Sequence, residues 1–188
     1  LPNRFPYYLK WMPGTDGIII HSLDKIGITQ SVVEAAEVIV CAYMSTLTRL
    51  ESLTEVITAN TTAKRVLIDH HLNPSEDFDL IFSSPDSSST AYLVYEIIKA
   101  AFGTEALTAT IGTLLYVGMI TDTGNFAFSN LTPQLFRAVA DLIEAGIDIP
   151  TIYNNVYNSF TEGRARLFGY VINKKMKTLL KGTVAYMS

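Results

Sequence analysis

A single cysteine, Cys41, in 188 residues excludes an internal disulfide and leans towards a reducing, cytoplasmic setting. Charge is also scarce: 17% of residues are charged and the formal net charge is -4. That balance argues against a protein that coats long nucleic acid by electrostatics. It leaves room for a short oligonucleotide, or for a phosphate held through a cation that reverses the local sign. No apolar run reaches the roughly 18 residues of a membrane span. The nearest, Ala109 to Ile120, contains Gly and Thr and reads as a buried helix. No secretory leader opens the chain, so the sequons at Asn60 and Asn130 carry little weight. The chain has no G-x-G-x-x-G opening a helix, no G-x-x-x-x-G-K-[ST] loop and no G-x-S-x-G elbow, which removes the commonest nucleotide-fold and serine-hydrolase readings. Internal repeats and low-complexity linkers are missing as well.

What is present is core. Apolar residues make up 48% of the chain, enough for one domain with a sizeable interior. Arg65-Val-Leu-Ile-Asp69 reads as a strand buried on both faces of a parallel sheet, and it ends in a carboxylate followed by His70 and His71. Ligands of open α/β sheets bind just outside the carboxyl ends of the strands. One carboxylate beside two imidazoles offers the oxygen and nitrogen donors that manganese, zinc or iron accept. The plain alternative is a turn whose histidines are merely polar. Cys41 sits inside an apolar strand and reads as a small core residue, not a nucleophile.

The chain in order supports an α/β class with a parallel sheet and helices on both faces. Leu1 to Pro13 reads as an extended, aromatic connection. Tyr7, Tyr8 and Trp11 there could stack on bases, although packing is the commoner use of such clusters. Strands are expected at Gly17 to His21, Val38 to Ala42, Arg65 to Asp69, Phe78 to Phe82 and Thr183 to Met187. Helices are expected from a Thr29–Ser31 cap to Glu37, then over Leu47 to Ala59, Ala91 to Phe102, Glu105 to Ile120, Pro133 to Ala145, Ile149 to Tyr157 and Thr161 to Leu180. Alternating strands and helices imply right-handed βαβ units. Ser88 or Ser89 is the expected cap of the third of these helices. With Thr90, the pair could seat a phosphate at the helix N-terminus, an ordinary cap being the simpler reading. Asp122, in Thr121-Asp-Thr-Gly-Asn-Phe126, follows a buried helix. It is either turn chemistry or a carboxylate that wants a cation. The basic end of the last helix, Lys174 to Lys181, reads as complementing its own dipole.

Ile68-Asp-His-His71, Ser87-Ser-Ser-Thr-Ala91 and Gly118-Met-Ile-Thr-Asp-Thr-Gly-Asn-Phe126, in this order, resemble the DHH-family phosphoesterases. The chain is most similar to the RecJ-like subgroup that degrades very short oligoribonucleotides and dephosphorylates adenosine 3',5'-bisphosphate. Phe5 to Gly14 and Asn155 to Met176 resemble the same subgroup. The resemblance implies a catalytic domain over residues 1–188, with about 146–181 as a helical connection towards a further domain. It implies Mn²⁺, two ions in the family, and a short single-stranded oligonucleotide or nucleoside bisphosphate as substrate. His70 and Asp122 would be metal ligands, Asp69 a ligand or the group that orients an imidazole, and His71 a donor or proton source at the phosphate. Ser88, Ser89 and Thr90 would touch substrate.

The same comparison exposes departures. Family members open with a strand and a His/Asp-rich metal motif, which this chain lacks; Leu1-Pro2 in place of an initiator Met suggests part of a longer protein. Tyr43 stands where the family has a metal-bridging Asp, and Ser45 where it has an Asn. A phenol with an ordinary pKa near 10 is no simple substitute for a carboxylate. Zero or one ion, and weak or no hydrolysis, are therefore expected of this chain. The competing expectation is a relative that binds a nucleotide or partner without cutting it. A homodimer is compatible with either, and a membrane association with neither.

Overall fold

The computed structural model describes residues 1–128 and 130–187. Three parallel strands, β1 (Val38–Ala42), β2 (Lys64–Asp69) and β3 (Leu80–Ser83), lie side by side in the order β1-β2-β3. Val40, Val66 and Leu80 sit abreast, as do Cys41, Leu67 and Ile81. Parallel strands need a crossover, and between β1 and β2 it is a 3-10 turn (Leu47–Leu50) followed by helix α2 (Leu53–Ala59). Helix α1 (Ile28–Glu34) precedes β1 and packs beside α2. The α/β class with a parallel sheet is therefore as expected.

Helical cover of that sheet is uneven. Cys41 and Leu67 turn to one face and close a core with Leu47, Leu50, Leu53, Ile57 and Phe78. The alternate residues Val38, Val40, Ala42, Val66, Ile68, Leu80 and Phe82 share the other face, and none of them is buried. A second core joins α3 (Thr90–Phe102), α4 (Ala109–Asp122), α5 (Pro133–Glu144) and α6 (Ile149–Tyr153). Trp11, with Leu9 and Met12, packs against this core, so its indole serves packing. α3 and α4 approach closely because Gly118 has no side chain: a Cβ there would lie 2.5 Å from that of Ala91.

The expected strand at Gly17 to His21 does not form. Its extended residues lie between 3-10 turns, and their main-chain partner is Leu1 at the chain's start, through Leu1 N to Ile19 O and His21 N to Leu1 O, both 2.8 Å. Helix α1 is capped by the Asp24 carboxylate, which accepts from the amides of Ile26, Gly27 and Thr29, and it ends three residues short of Glu37. The single helix expected over Leu47 to Ala59 is broken at Glu51, whose φ is 54°. α4 starts only at Ala109, because Thr108 accepts from the Ile111 amide as its cap. The segment beyond Ile149 turns from α to π geometry at Asn154–Asn158. The last expected helix divides into α7 (Glu162–Tyr170), a π turn (Val171–Lys175) and strand β4 (Met176–Leu179), which pairs antiparallel with β5 (Val184–Met187). Over residues 146–181, helical turns run from Ile149 to Asn158 and from Glu162 to Lys175, with a break at residues 159–161, and a hairpin follows. From Ser159 to Met187 every residue except Val171 is exposed.

Asn60, the first residue of one sequon, is buried. Its amide donates to the Val33 and Ala36 carbonyls, and its oxygen accepts from Thr62 N, Thr62 Oγ1 and Ala63 N. Among the described residues, no helix is long and apolar enough to cross a membrane.

Candidate functional site

The strand β2 ends at Asp69, which is completely buried, and the chain turns at once into His70 and His71. The His71 Nδ1 lies 2.7 Å from Asp69 Oδ1. Burial without other partners makes this a tight carboxylate–imidazole pair, and it fixes the tautomer in which Nε2 is the ring's free nitrogen. Asp69 Oδ2 is buried with no hydrogen-bond partner. His70 is held differently: its Nδ1 donates to the Ser87 carbonyl at 3.2 Å, which leaves Nε2 bare and 3.5 Å from Asp122 Oδ2. The two rings are 5.0 Å apart at 66°.

Asp122 reaches His70 because α4 stops there. Thr123, buried beyond it, donates from Oγ1 to the Met119 carbonyl and accepts from the Phe126 amide. Gly124, Asn125 and Phe126 then all take positive φ, 56°, 58° and 59°. A left-handed run costs L-residues about 1–2 kcal/mol each, and surrounding contacts hold it. Asn125 N bonds the Ile120 carbonyl at 2.7 Å, Tyr157 Oη bonds the same carbonyl at 3.0 Å, and the Phe126 ring packs between Tyr116 and Phe136. The turn that the sequence showed only as a motif is a rigid bracket for one carboxylate.

Tyr43 follows β1 with φ 64°, and its amide continues the ladder to the Ile68 carbonyl. Its ring stacks on His70 at 5.8 Å and meets His71 edge-on at 5.0 Å. Burial pushes its phenol above the usual tyrosine range, and the Asp122 carboxylate adds to the shift through hydrogen bonding and charge. A neutral hydroxyl therefore stands beside Asp122 where the sequence comparison expects a carboxylate.

Ser87 to Thr90 are buried at the start of α3. Ser89 Oγ accepts from the Tyr92 amide and is the N-cap, as expected of one of this pair. Ser88 Oγ and Thr90 Oγ1 are buried without hydrogen-bond partners. Thr90 also lines a cleft of about 530 Å³ that runs from Tyr43 and Asp122 along Val94, Leu114 and Gly118. A smaller hollow, about 310 Å³, lies by Lys64 and Asp79, away from the histidines.

His70 and Asp122 bring one nitrogen and one oxygen donor together. Two carboxylates, Asp69 and Asp122, lie within a patch that has no Lys or Arg salt-bridged to either among the described residues. The 3.5 Å between His70 Nε2 and Asp122 Oδ2 is the spacing of neighbouring donors around one ion at bond lengths of about 2.1 Å. Among the described residues no group of three or more His, Cys, Asp or Glu side chains converges on one point. His70 and Asp122 could hold an ion, whereas Asp69 spends Oδ1 on His71, and the Tyr43 ring lies against both imidazoles. Sequence reasoning missed the Ser87 carbonyl, because a main-chain acceptor leaves no trace in residue identity. It also missed Thr123 and Tyr157, whose roles depend on contacts across the fold. Cys41 is buried and its thiol is pushed up by burial, which fits an inert core residue.

No family model matches the chain. A bifunctional oligoribonuclease and PAP phosphatase from Thermus thermophilus is 38% identical over 82 residues, 44% of this chain and 25% of that protein. Its counterpart of the same name in Bacillus subtilis is 29% identical over 98 residues, 52% of this chain and 31% of that protein. A crystal structure of an exopolyphosphatase-related protein from Bacteroides fragilis superposes with a TM-score of 0.90 at 32% identity, over 95% of this chain and 52% of that one. The chain thus spans about a quarter to a third of these two curated relatives and about half of the solved one.

Proposed function

We propose that this chain, whose motifs resemble those of the DHH-family phosphoesterases and which is similar to two oligoribonuclease and PAP phosphatase proteins and to an exopolyphosphatase-related structure, forms a site for one divalent cation and hydrolyses a phosphoester on a short oligonucleotide or a nucleoside 3',5'-bisphosphate. The observation that carries the reading is the bare Nε2 of His70 facing Asp122 Oδ2 at 3.5 Å, with Nδ1 spent on the Ser87 carbonyl. Metal-binding histidines are typically oriented in this way by their other nitrogen.

A bound Mn²⁺ would supply Lewis acidity, lowering the pKa of a water and neutralising charge on the phosphoryl oxygens. The chain's own residues do the rest. His70 and Asp122 would hold the ion, one from the end of β2 and the other from the end of α4. Asp69, buried, holds His71 by Nδ1, so that Nε2 is free to exchange a proton at the phosphoester. Ser88 and Thr90 carry buried, unpartnered hydroxyls at the start of α3, and substrate oxygens are proposed to reach them from the cleft that Thr90 lines. Tyr43, neutral and ring-stacked on His70, adds no charge to the ion, so turnover is expected to be slow.

Tyr43 also favours a second reading, a nucleotide-binding relative that does not hydrolyse. Incubation of the chain with a short RNA and with adenosine 3',5'-bisphosphate in Mn²⁺ separates the two. Release of mononucleotide or phosphate that stops with chelator and falls at least a hundredfold in His71→Ala is expected, a loss typical of removing a general acid or base. Cleavage indifferent to both treatments would overturn the hydrolytic reading, and binding without cleavage would support the second.

A further inference from the structure

Asp122 is the last residue of α4, and helix ends fray. A carboxylate on a fraying turn cannot keep a metal–oxygen distance that tolerates only about 0.2 Å of error. Two ties at this end are local. Thr123 donates to the Met119 carbonyl from both N and Oγ1, at 3.1 and 2.7 Å, and Asn125 N donates to the Ile120 carbonyl at 2.7 Å. The second is the wider hydrogen bond of a Schellman end, with Gly124 left-handed after the cap residue Thr123. It occupies one lone pair of the Ile120 oxygen, and the Tyr157 hydroxyl, at 3.0 Å, takes the other. Among the described residues, this is the one hydrogen bond to a main-chain group between Met119 and Thr123 that comes from another element.

Tyr157 belongs to the π turn Asn154–Asn158 that follows α6, and such turns are frequent at functional positions. Its ring packs on the core shared by α3 to α6, 4.9 Å from that of Tyr153. Burial first, and then the phenols of Tyr153, Tyr116 and Tyr8, push its hydroxyl above the usual tyrosine range, so it stays a neutral donor at physiological pH. We propose that Tyr157 is a positioning residue, whose hydroxyl clamps the Ile120 carbonyl and thereby holds Asp122 facing His70 Nε2. The inference deepens the ion-site reading and rests on it for its metal readout. A tyrosine that merely added a hydrogen bond to the core would contribute stability and leave the site unmoved by its loss.

Tyr157→Phe keeps the ring and removes only the hydroxyl. The Ile120 oxygen retains Asn125 N, so no acceptor is orphaned, and the variant should fold with a melting temperature a few degrees below native. In EDTA, hydrogen exchange at the amides of Thr123, Asn125 and Phe126 should quicken about three- to tenfold, the equilibrium worth of one net hydrogen bond, while amides in the middle of α3 stay within about twofold. Mn²⁺ affinity from equilibrium dialysis should fall about tenfold, the lower end for losing an outer partner of a metal ligand. Asp141→Asn lowers stability through the Lys99 and Tyr95 contacts of α5 instead, and should leave both readings as in the native chain. Unchanged exchange at the end of α4 would overturn the proposal whatever the metal does. Quickened exchange with unaltered Mn²⁺ affinity would overturn it too, leaving Tyr157 a packing residue. A native chain that takes up no Mn²⁺ would sink the ion-site reading instead, and the exchange comparison would still decide whether Tyr157 fixes the carbonyl.

Discussion

Gly118→Ala tests whether the close approach of α3 and α4 sets the site. A Cβ at Gly118 would lie 2.5 Å from the Ala91 Cβ, and 3.9 Å from its Cα. Restoring a carbon–carbon separation of about 3.5 Å requires the helices to part by about 1 Å. Overpacking of that kind costs about 1–3 kcal/mol, partly offset by about 1 kcal/mol from replacing glycine inside a helix. The net for the single variant is therefore a destabilisation of about 0–2 kcal/mol, and a double-mutant cycle isolates the steric part. Ala91→Gly removes the opposing methyl, and the double variant moves it from one helix to the other. Urea unfolding of all four proteins should give a coupling energy of about 1–3 kcal/mol, the double variant being less destabilised than the sum of the singles. Gly118 lies one turn before Asp122, and Ala91 adjoins Thr90, so Mn²⁺ affinity should fall in Gly118→Ala and recover in the double variant. Stability effects that add within about 0.5 kcal/mol would refute the steric argument.

Asn60→Ala should destabilise the fold by about 1–3 kcal/mol, since it removes the buried amide that partners the buried Ala63 N and the partly buried carbonyls of Val33 and Ala36; thermal unfolding at neutral pH reads the loss directly. Asp141 on α5 accepts from Lys99 Nζ at 2.8 Å and from the Tyr95 hydroxyl, and these partners, Lys99 first, hold its carboxyl below the usual range. A depressed folded-state pKa adds stability that is present above the unfolded value of about 3.9 and lost as pH falls through the folded value. Asp141→Asn should therefore lower stability at pH 7 by about 1 kcal/mol and flatten its decline below about pH 4, as followed by urea midpoints across pH.

The central strands were legible because parallel strands demand continuous apolar runs, and VIVCA and RVLID occur as β1 and β2 within a residue of expectation. Asp69, His70, His71 and Asp122 were legible because polar chemistry ends abruptly at the close of an apolar element. Gly17 to His21 misled for a related reason. Its β-branched run has strand propensity, but a strand also needs a neighbour, and that is a tertiary fact. The break at Glu51 and the strand Met176–Leu179 were invisible because apolar spacing in those stretches fits a helix, whereas a left-handed residue or a cross-strand partner decides otherwise; the partner strand Val184–Met187 is the one expected at Thr183 to Met187. The basic stretch Lys174 to Lys181, expected to complement the dipole of a helix reaching Leu180, lies mostly beyond the helical part, because Met176–Leu179 is a strand.

The claim that His70 and Asp122 form an ion site is tested most directly by Mn²⁺ retained after equilibrium dialysis, measured for the native chain and His70→Ala alongside thermal unfolding. One ion per chain is expected in the native protein and none in His70→Ala. At a hundredfold excess over Kd, binding contributes about 2.7 kcal/mol, which for a chain of this size raises Tm by about 5–10 °C. Tyr43→Asp, which adds a carboxylate beside the pair, should retain more ion than the native chain. Equal Mn²⁺ in the native and His70→Ala proteins, or a Tm that Mn²⁺ leaves unmoved, would contradict the account.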